Sequence, residues 1–326
     1  MKRKLAIGCG GLVFFSMCTC LFSYWFFPWS RVRDIAVQEV ERPMGPNGER
    51  RPSGIELEIG ELSPSWFTGA TLTDVEVRKL SDNPDDEPME IRIDEVTARL
   101  GVFAAISGEV DVSFSAEVGG GELSGVYQDG ETETVVQMEL DRVNLARLGV
   151  LESAVGLPVE GRIGGEVDLT IAAEPQDTTG RIDLGIDGLV VGDGEAKLQI
   201  EALGGSGVTV EQINAGTVTL VAEVDSGVAR IDTFEANGDD LELGGSGSIR
   251  LMRPVQNSRM DLLLRFEFSD GYRDRNDRTR ALFSLLDFNP WMQRARTPDG
   301  ALQYQLRGAF GGQLRGTPAG RVRPRR

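Results

Sequence analysis

From Ile55 onward, hydrophobic and polar residues trade places at every second position. Ile55-Glu56-Leu57-Glu58-Ile59 sets three branched side chains on one side of an extended chain and two carboxylates on the other, the pattern of a half-buried antiparallel strand. The alternation returns over Ile91 to Ile93, Val110 to Phe114, Val136 to Leu140, Val167 to Ile171 and Ile182 to Ile186. It continues over Val218 to Val224, Val228 to Phe234, Leu241 to Leu243 and Leu262 to Phe268. Gly119-Gly120-Gly121, Gly192-Asp193-Gly194, Asp225-Ser226-Gly227, Asn237-Gly238-Asp239 and Gly244-Gly245 punctuate these runs, and such residues supply the positive φ angles of tight hairpins. The expected fold class is mainly β: a long curved antiparallel sheet, either an open groove or an incomplete barrel, with one or two short covering helices.

Two segments switch to helical spacing. Asn144 to Leu151 and Arg280 to Leu286 repeat apolar residues at three- and four-residue steps, the second ahead of Pro290, and both are expected to cover an end or edge of the sheet. A helix lying on a membrane is the other reading of the second, given Phe283, Phe288, Trp291 and the arginines around them.

The N-terminus breaks the pattern differently. Leu5 to Phe27 is a run of 23 uncharged residues, which as a helix spans roughly 35 Å at about 1.5 Å per residue, enough to cross a bilayer. Lys2, Arg3 and Lys4 precede it, while Tyr24, Trp25 and Trp29 gather at its far end, where amphipathic rings favour the lipid–water boundary. The run is longer than a signal-peptide core and ends in Trp25-Phe26-Phe27-Pro28-Trp29 without a small-residue cleavage site. The expected division is residues 1–4 cytoplasmic, 5–27 a single membrane span, 28–54 a linker with a short amphipathic stretch, 55–316 a periplasmic β-rich domain and 317–326 a basic disordered tail. That topology places the chain in a bacterial inner membrane.

Composition narrows the chemistry. The formal charge is −17, and so acidic a surface repels phosphate backbones, which argues against nucleic acid as a partner. The chain has no histidine, removing the usual general base and the commonest metal ligand. Cys9, Cys18 and Cys20 all fall in the first apolar run, leaving the rest without a thiol. Glu56, Glu58, Glu76, Glu139 and Glu242 alternate with apolar residues as a solvated strand face does, rather than pairing as a glycosidase needs. Asp193-Gly194-Glu195 and Asn237-Gly238-Asp239-Asp240 lack the spacing of a twelve-residue calcium loop. Gly204-Gly205-Ser206-Gly207 and Gly244-Gly245-Ser246-Gly247 lack the lysine and helix of a phosphate loop and are read as bulges and turns. No catalytic residue, cofactor or metal site is assigned. From Gly300 on there are six arginines and no acid, a basic segment on an acidic protein.

Several stretches together resemble the general secretion pathway protein N family of type II secretion systems. They are Phe26-Phe27-Pro28, the run Ile59-Gly60-Glu61-Leu62-Ser63-Pro64-Ser65-Trp66-Phe67-Thr68-Gly69, and Thr233-Phe234-Glu235-Ala236-Asn237-Gly238-Asp239-Asp240-Leu241-Glu242-Leu243 with the Gly-x-Ile-x-Leu of Gly247 to Leu251. The resemblance runs from the anchor to about Pro318. It implies a non-enzymatic accessory component of the machine that moves folded proteins across the outer membrane, with other secretion subunits as partners. It also implies kinship with AsmA-like β-groove proteins, for which phospholipid is the alternative partner. On that alternative the apolar sheet face is an open trough lined by Val112, Phe114, Leu169, Ile171, Leu220, Phe234, Leu243, Phe266 and Phe268; otherwise the same residues form a closed core.

Overall fold

A computed structural model of the chain describes residues 29–43, 49–65, 68–79, 89–101, 109–130, 132–148, 156–199, 207–252, 257–309 and 315–320. The expected membrane span over 5–27, with Tyr24 and Trp25, lies outside them, as does the segment 321–326. No helix among the described residues is long and apolar enough to cross a membrane.

The described residues form one antiparallel sheet of 14 strands. Its first eight strands follow chain order: β1 (Ile55–Ser65), β2 (Gly69–Lys79), β3 (Met89–Leu100), β4 (Val110–Val118), β5 (Gly121–Asp129), β6 (Glu133–Asn144), β7 (Val159–Ala172) and β8 (Thr179–Val191). A small separate hairpin, β9 (Lys197–Gln199) with β10 (Gly207–Thr209), then leaves the sheet. The sheet resumes with β11 (Ile213–Asp225) beside β8, then β12 (Val228–Asn237), β13 (Leu241–Arg250), β14 (Arg259–Phe268), β15 (Leu302–Ala309) and β16 (Arg315–Pro318). β1 and β16 do not meet, so the sheet is open. The tight turns Gly119-Gly120 (φ 59° and 73°) and Ser226-Gly227 (φ 53° and 70°) have the double positive φ that suits the twist of two-residue hairpins.

Opposed residues of neighbouring strands share a face, and the register carries the apolar residues onto one side. Val112 stands opposite Tyr127, Tyr127 opposite Val136, and Val136 opposite Leu169. Val167 faces Ile182, which faces Ala222. Leu220 faces Phe234, Ala236 faces Leu243, and Leu243 faces Phe266. The reverse face carries Glu139, Glu166 and Asp183 in one row, a solvated polar surface.

A bulge in β6 keeps that segregation where strict alternation would break it. Leu140 and Val143 are three apart, yet oppose Gly165 and Ile163, which are two apart; the extra residue is taken up at Arg142, whose φ is 50°. Asp74 also has a positive φ (52°), but the pairing of β2 with β1 and β3 runs past it without a change of register. An inserted residue turns the chain over once, so both flanking apolar side chains stay on the same face.

Both edges are protected, as exposed edges otherwise template aggregation. Helix α1 (Trp29–Glu41) lies against β1. Its Arg33 donates to Gly60 O at 3.3 Å, and the Leu57 N–H donates to Glu41 Oε1 at 3.4 Å. The stretch expected to be a linker over 28–54 is thus partly a packed helix, because the free edge of β1 offers it backbone partners. At the other edge β16 is only four residues long and ends in Pro318, which lacks an N–H.

The remaining helices sit at the ends of strands. Of the helix expected over Asn144 to Leu151, α2 (Leu145–Leu148) is described, with Leu145 buried. α3 (Asp270–Arg273), α4 (Asp277–Phe288) and α5 (Pro290–Ala295) follow β14. Pro290 ends one helix and opens the next, since a proline costs nothing at a first helical position.

Two expectations are corrected. Gly244-Gly245-Ser246-Gly247 forms no turn: it is the middle of β13, paired along its length with β14, while its pairing with β12 is bulged there and Phe234 and Leu264 pack on Gly245. The basic tail does not begin at 317, because Thr317 and Pro318 belong to β16 and Ala319 and Gly320 are buried. Ala319 N donates to Gln303 O at 2.8 Å and Gly320 N to Arg294 O at 3.1 Å.

Candidate ligand-binding face

All nine residues expected to line a trough lie on the apolar face, and each is half-buried rather than fully enclosed. Val112, Tyr127, Val136 and Leu169 make a row across four adjacent strands, about 14 Å at the usual strand spacing. The floor is shallow because rings lie flat on glycines of the next strand. A Cβ on Gly245 would stand 2.3 Å from Phe234 Cδ1, and one on Gly125 2.8 Å from Phe114 Cζ. Toward the β3–β4 and β5–β6 hairpins the face opens further, with Leu100 55%, Val110 43% and Tyr127 39% exposed.

No protein-family model, curated protein or solved structure matches this chain.

At the β14 end the face is covered. Phe268 stacks on Tyr272 at 5.6 Å and meets Phe283 edge-on at 5.2 Å, while Phe266 stacks on Tyr304 at 5.8 Å. Phe266 and Phe268 therefore belong to an aromatic plug under α3 and α4, and the open stretch runs from β4 toward β13. The sequence pattern gave no reason to separate them, since all these phenylalanines alternate alike.

A polar clamp that periodicity did not reveal holds the plug. Asp240, buried in the β12–β13 turn, accepts from Asn214 N at 2.8 Å and is ion-paired with Arg275. Arg275 also donates to Gln212 O at 2.7 Å and lies 4.9 Å over the Tyr272 ring. The Tyr272 hydroxyl donates to Glu211 O at 2.8 Å, and burial pushes its pKa up to about 12. Ser269 caps α3 and Asn276 forms a capping box with Thr279 on α4. Those caps are readable as Ser-x-x-Tyr and Asn-x-x-Thr before helical runs; the clamp is not.

Trp29, the one expected membrane-interface residue within the described range, opens α1 and is half-buried. Asp193 sits in the loop before β9, where its side chain accepts from Ala196 N at 2.7 Å and Glu195 N at 2.8 Å. Those bonds hold its carboxyl below the usual range, as a turn-forming aspartate requires. Among the described residues, no group of three or more acidic, cysteine or histidine side chains could hold a metal ion. What the face offers is apolar contact, worth about 0.8 kcal/mol per methylene removed from water.

Proposed function

We propose that this protein is a non-enzymatic, membrane-anchored component of the bacterial envelope that works by presenting its apolar sheet face. The observation that carries the reading is the run of half-buried apolar residues from Val112 to Leu243 across the open stretch. A contiguous, partly exposed apolar surface of this kind marks a binding face and suits an occupant. In the cell we assign it to the type II secretion apparatus as an inner-membrane accessory subunit, on the resemblance of its Ile59 to Gly69 and Thr233 to Leu251 stretches. Residues 5–27 would anchor it, leaving the sheet in the periplasm. Deleting it is expected to impair exoprotein release and assembly of the outer-membrane secretin; normal release and assembly in the deletion strain would end the secretion assignment.

A second reading is favoured by the shape of the face itself. An extended apolar floor with polar strand backs suits acyl chains, so phospholipid handling for envelope maintenance is the alternative. A photo-reactive amino acid at Leu169 or Leu220 of the full chain, activated in intact cells, separates the two. A protein adduct with a secretion subunit supports the first reading, and a phospholipid adduct the second. Cross-linking to neither would leave the face without the occupant both readings require.

A further inference from the structure

Helix α4 has two apolar stripes and uses only one to hold the fold. Phe283 and Thr279 are buried against the plug. On the other side Leu285 and Phe288, with Trp291 on α5 beyond, are 54%, 82% and 49% exposed. A phenylalanine so exposed gains nothing within this chain.

The charge around this stripe runs against the rest of the molecule. Residues 270–296 hold six arginines and four aspartates in a protein of formal charge −17. Asp287 is paired with Arg273 and Arg296, and Asp277 with Arg280. Arg294, one turn beyond Trp291, is exposed and makes no ion pair among the described residues. The described chain ends at Gly320, whose N–H is bonded to Arg294 O at 3.1 Å. The next six residues, 321–326, read RVRPRR with four arginines and no acid.

The geometry points to a second membrane contact: the outer side of α4 and α5, with Leu285, Phe288, Trp291 and Arg294, seats on anionic phospholipid headgroups of the bilayer that holds the N-terminal segment. Phenylalanine and tryptophan settle at headgroup depth, and arginines beside them neutralise the lipid phosphates. The acidic body would otherwise be repelled by that surface, so the attraction has to be local. This contact rests on the proposed membrane anchoring but needs neither a secretion partner nor an occupied sheet face.

The test uses the full chain with Cys9, Cys18 and Cys20 changed to serine and Phe288→Cys carrying an environment-sensitive fluorophore. It is inserted in nanodiscs of phosphatidylcholine alone, or of phosphatidylcholine with phosphatidylglycerol. The expected result is quenching by spin-labelled lipid in the anionic discs only. Quenching should be released at about 1 M salt, where screening falls to about 3 Å, and weakened at least about fivefold by Arg294→Glu. Equal quenching in neutral discs, a fluorophore equally wet in both, or shielding without lipid that rises with protein concentration would each overturn the proposal. Unchanged hydrogen exchange in α4 checks the variants, whose altered side chains are exposed.

Discussion

Asp240 is 5% exposed and carries most of the polar order at the plug. Removing one partner of a buried ion pair leaves the other uncompensated, so Asp240→Ala is expected to destabilise the α3–α4 region by about 3 kcal/mol. Hydrogen exchange of that region against β5 and β6 would measure it, and protection equal to the parent protein would refute it. Tyr272 adds a pH dependence with a definite sign. Burial favours the neutral phenol, raising its pKa to about 12 in the folded protein against about 10 in an unfolded chain. The folded state thus keeps its proton longer, and this contribution is complete below pH 10 and lost as pH rises from 10 to 12. Tyr272→Phe should flatten that alkaline loss while costing about 1 kcal/mol at neutral pH for the bond to Glu211; thermal unfolding across pH 8–12 decides. None of this was legible beforehand. The turn at Asn237 to Asp240 could be read locally, but Arg275 lies 35 residues further on, and no periodicity links them.

At the scale of elements, the strands were legible because period-two alternation is a direct imprint of a sheet with one wet face. It failed where geometry departs from the ideal pleat. The Arg142 bulge shifts the parity once, so a strict reading would send Val143 to the wrong face, although it is buried. β13 was cut short at Leu243 because its glycines read as a turn, whereas they run on in the strand and Gly245 lies between Phe234 and Leu264. Gly245→Val tests this. The new side chain must lift the Phe234 ring, and overpacking of that kind is expected to cost about 1–3 kcal/mol, read as a lowered denaturation midpoint; a neutral effect would mean that the ring does not rest on the glycine. α1 was legible only as a short amphipathic stretch, since what fixes it is the backbone edge of β1. Removing the helix contact with Glu41→Ala and Arg33→Ala together should expose that edge and promote self-association, seen by light scattering.

For the whole molecule, the decisive property is that polarity is sorted by face over the full width of the sheet. The sequence announced a sheet with an apolar side; whether that side was closed or open turned on register and on where the few helices sit, which local pattern does not encode. The covered and open stretches now make separate predictions. Leu220→Asp, in the open stretch, should abolish adduct formation from a photo-reactive residue at Leu169 while leaving the fold intact. Phe268→Asp should unseat the plug, since it places a charge among Tyr272 and Phe283. Equal outcomes for the two variants, followed by circular dichroism and cross-linking, would contradict the distinction.

The strand order has a consequence for how such a molecule comes into being. Each strand pairs with its neighbour in the chain, with the single detour through β9 and β10 between β8 and β11. No contact between β1 and β16 has to wait for the last residue. Pairings between adjacent segments close short loops, which is the inexpensive and fast kind of search. A chain emerging amino end first from a narrow channel can therefore lay down its sheet in the order of synthesis, each strand templating the next. A chain stopped after residue 199 should already display protected amides in β2 to β7 by hydrogen exchange, and it should be sticky at β8, the growing edge that the next strand was about to cover.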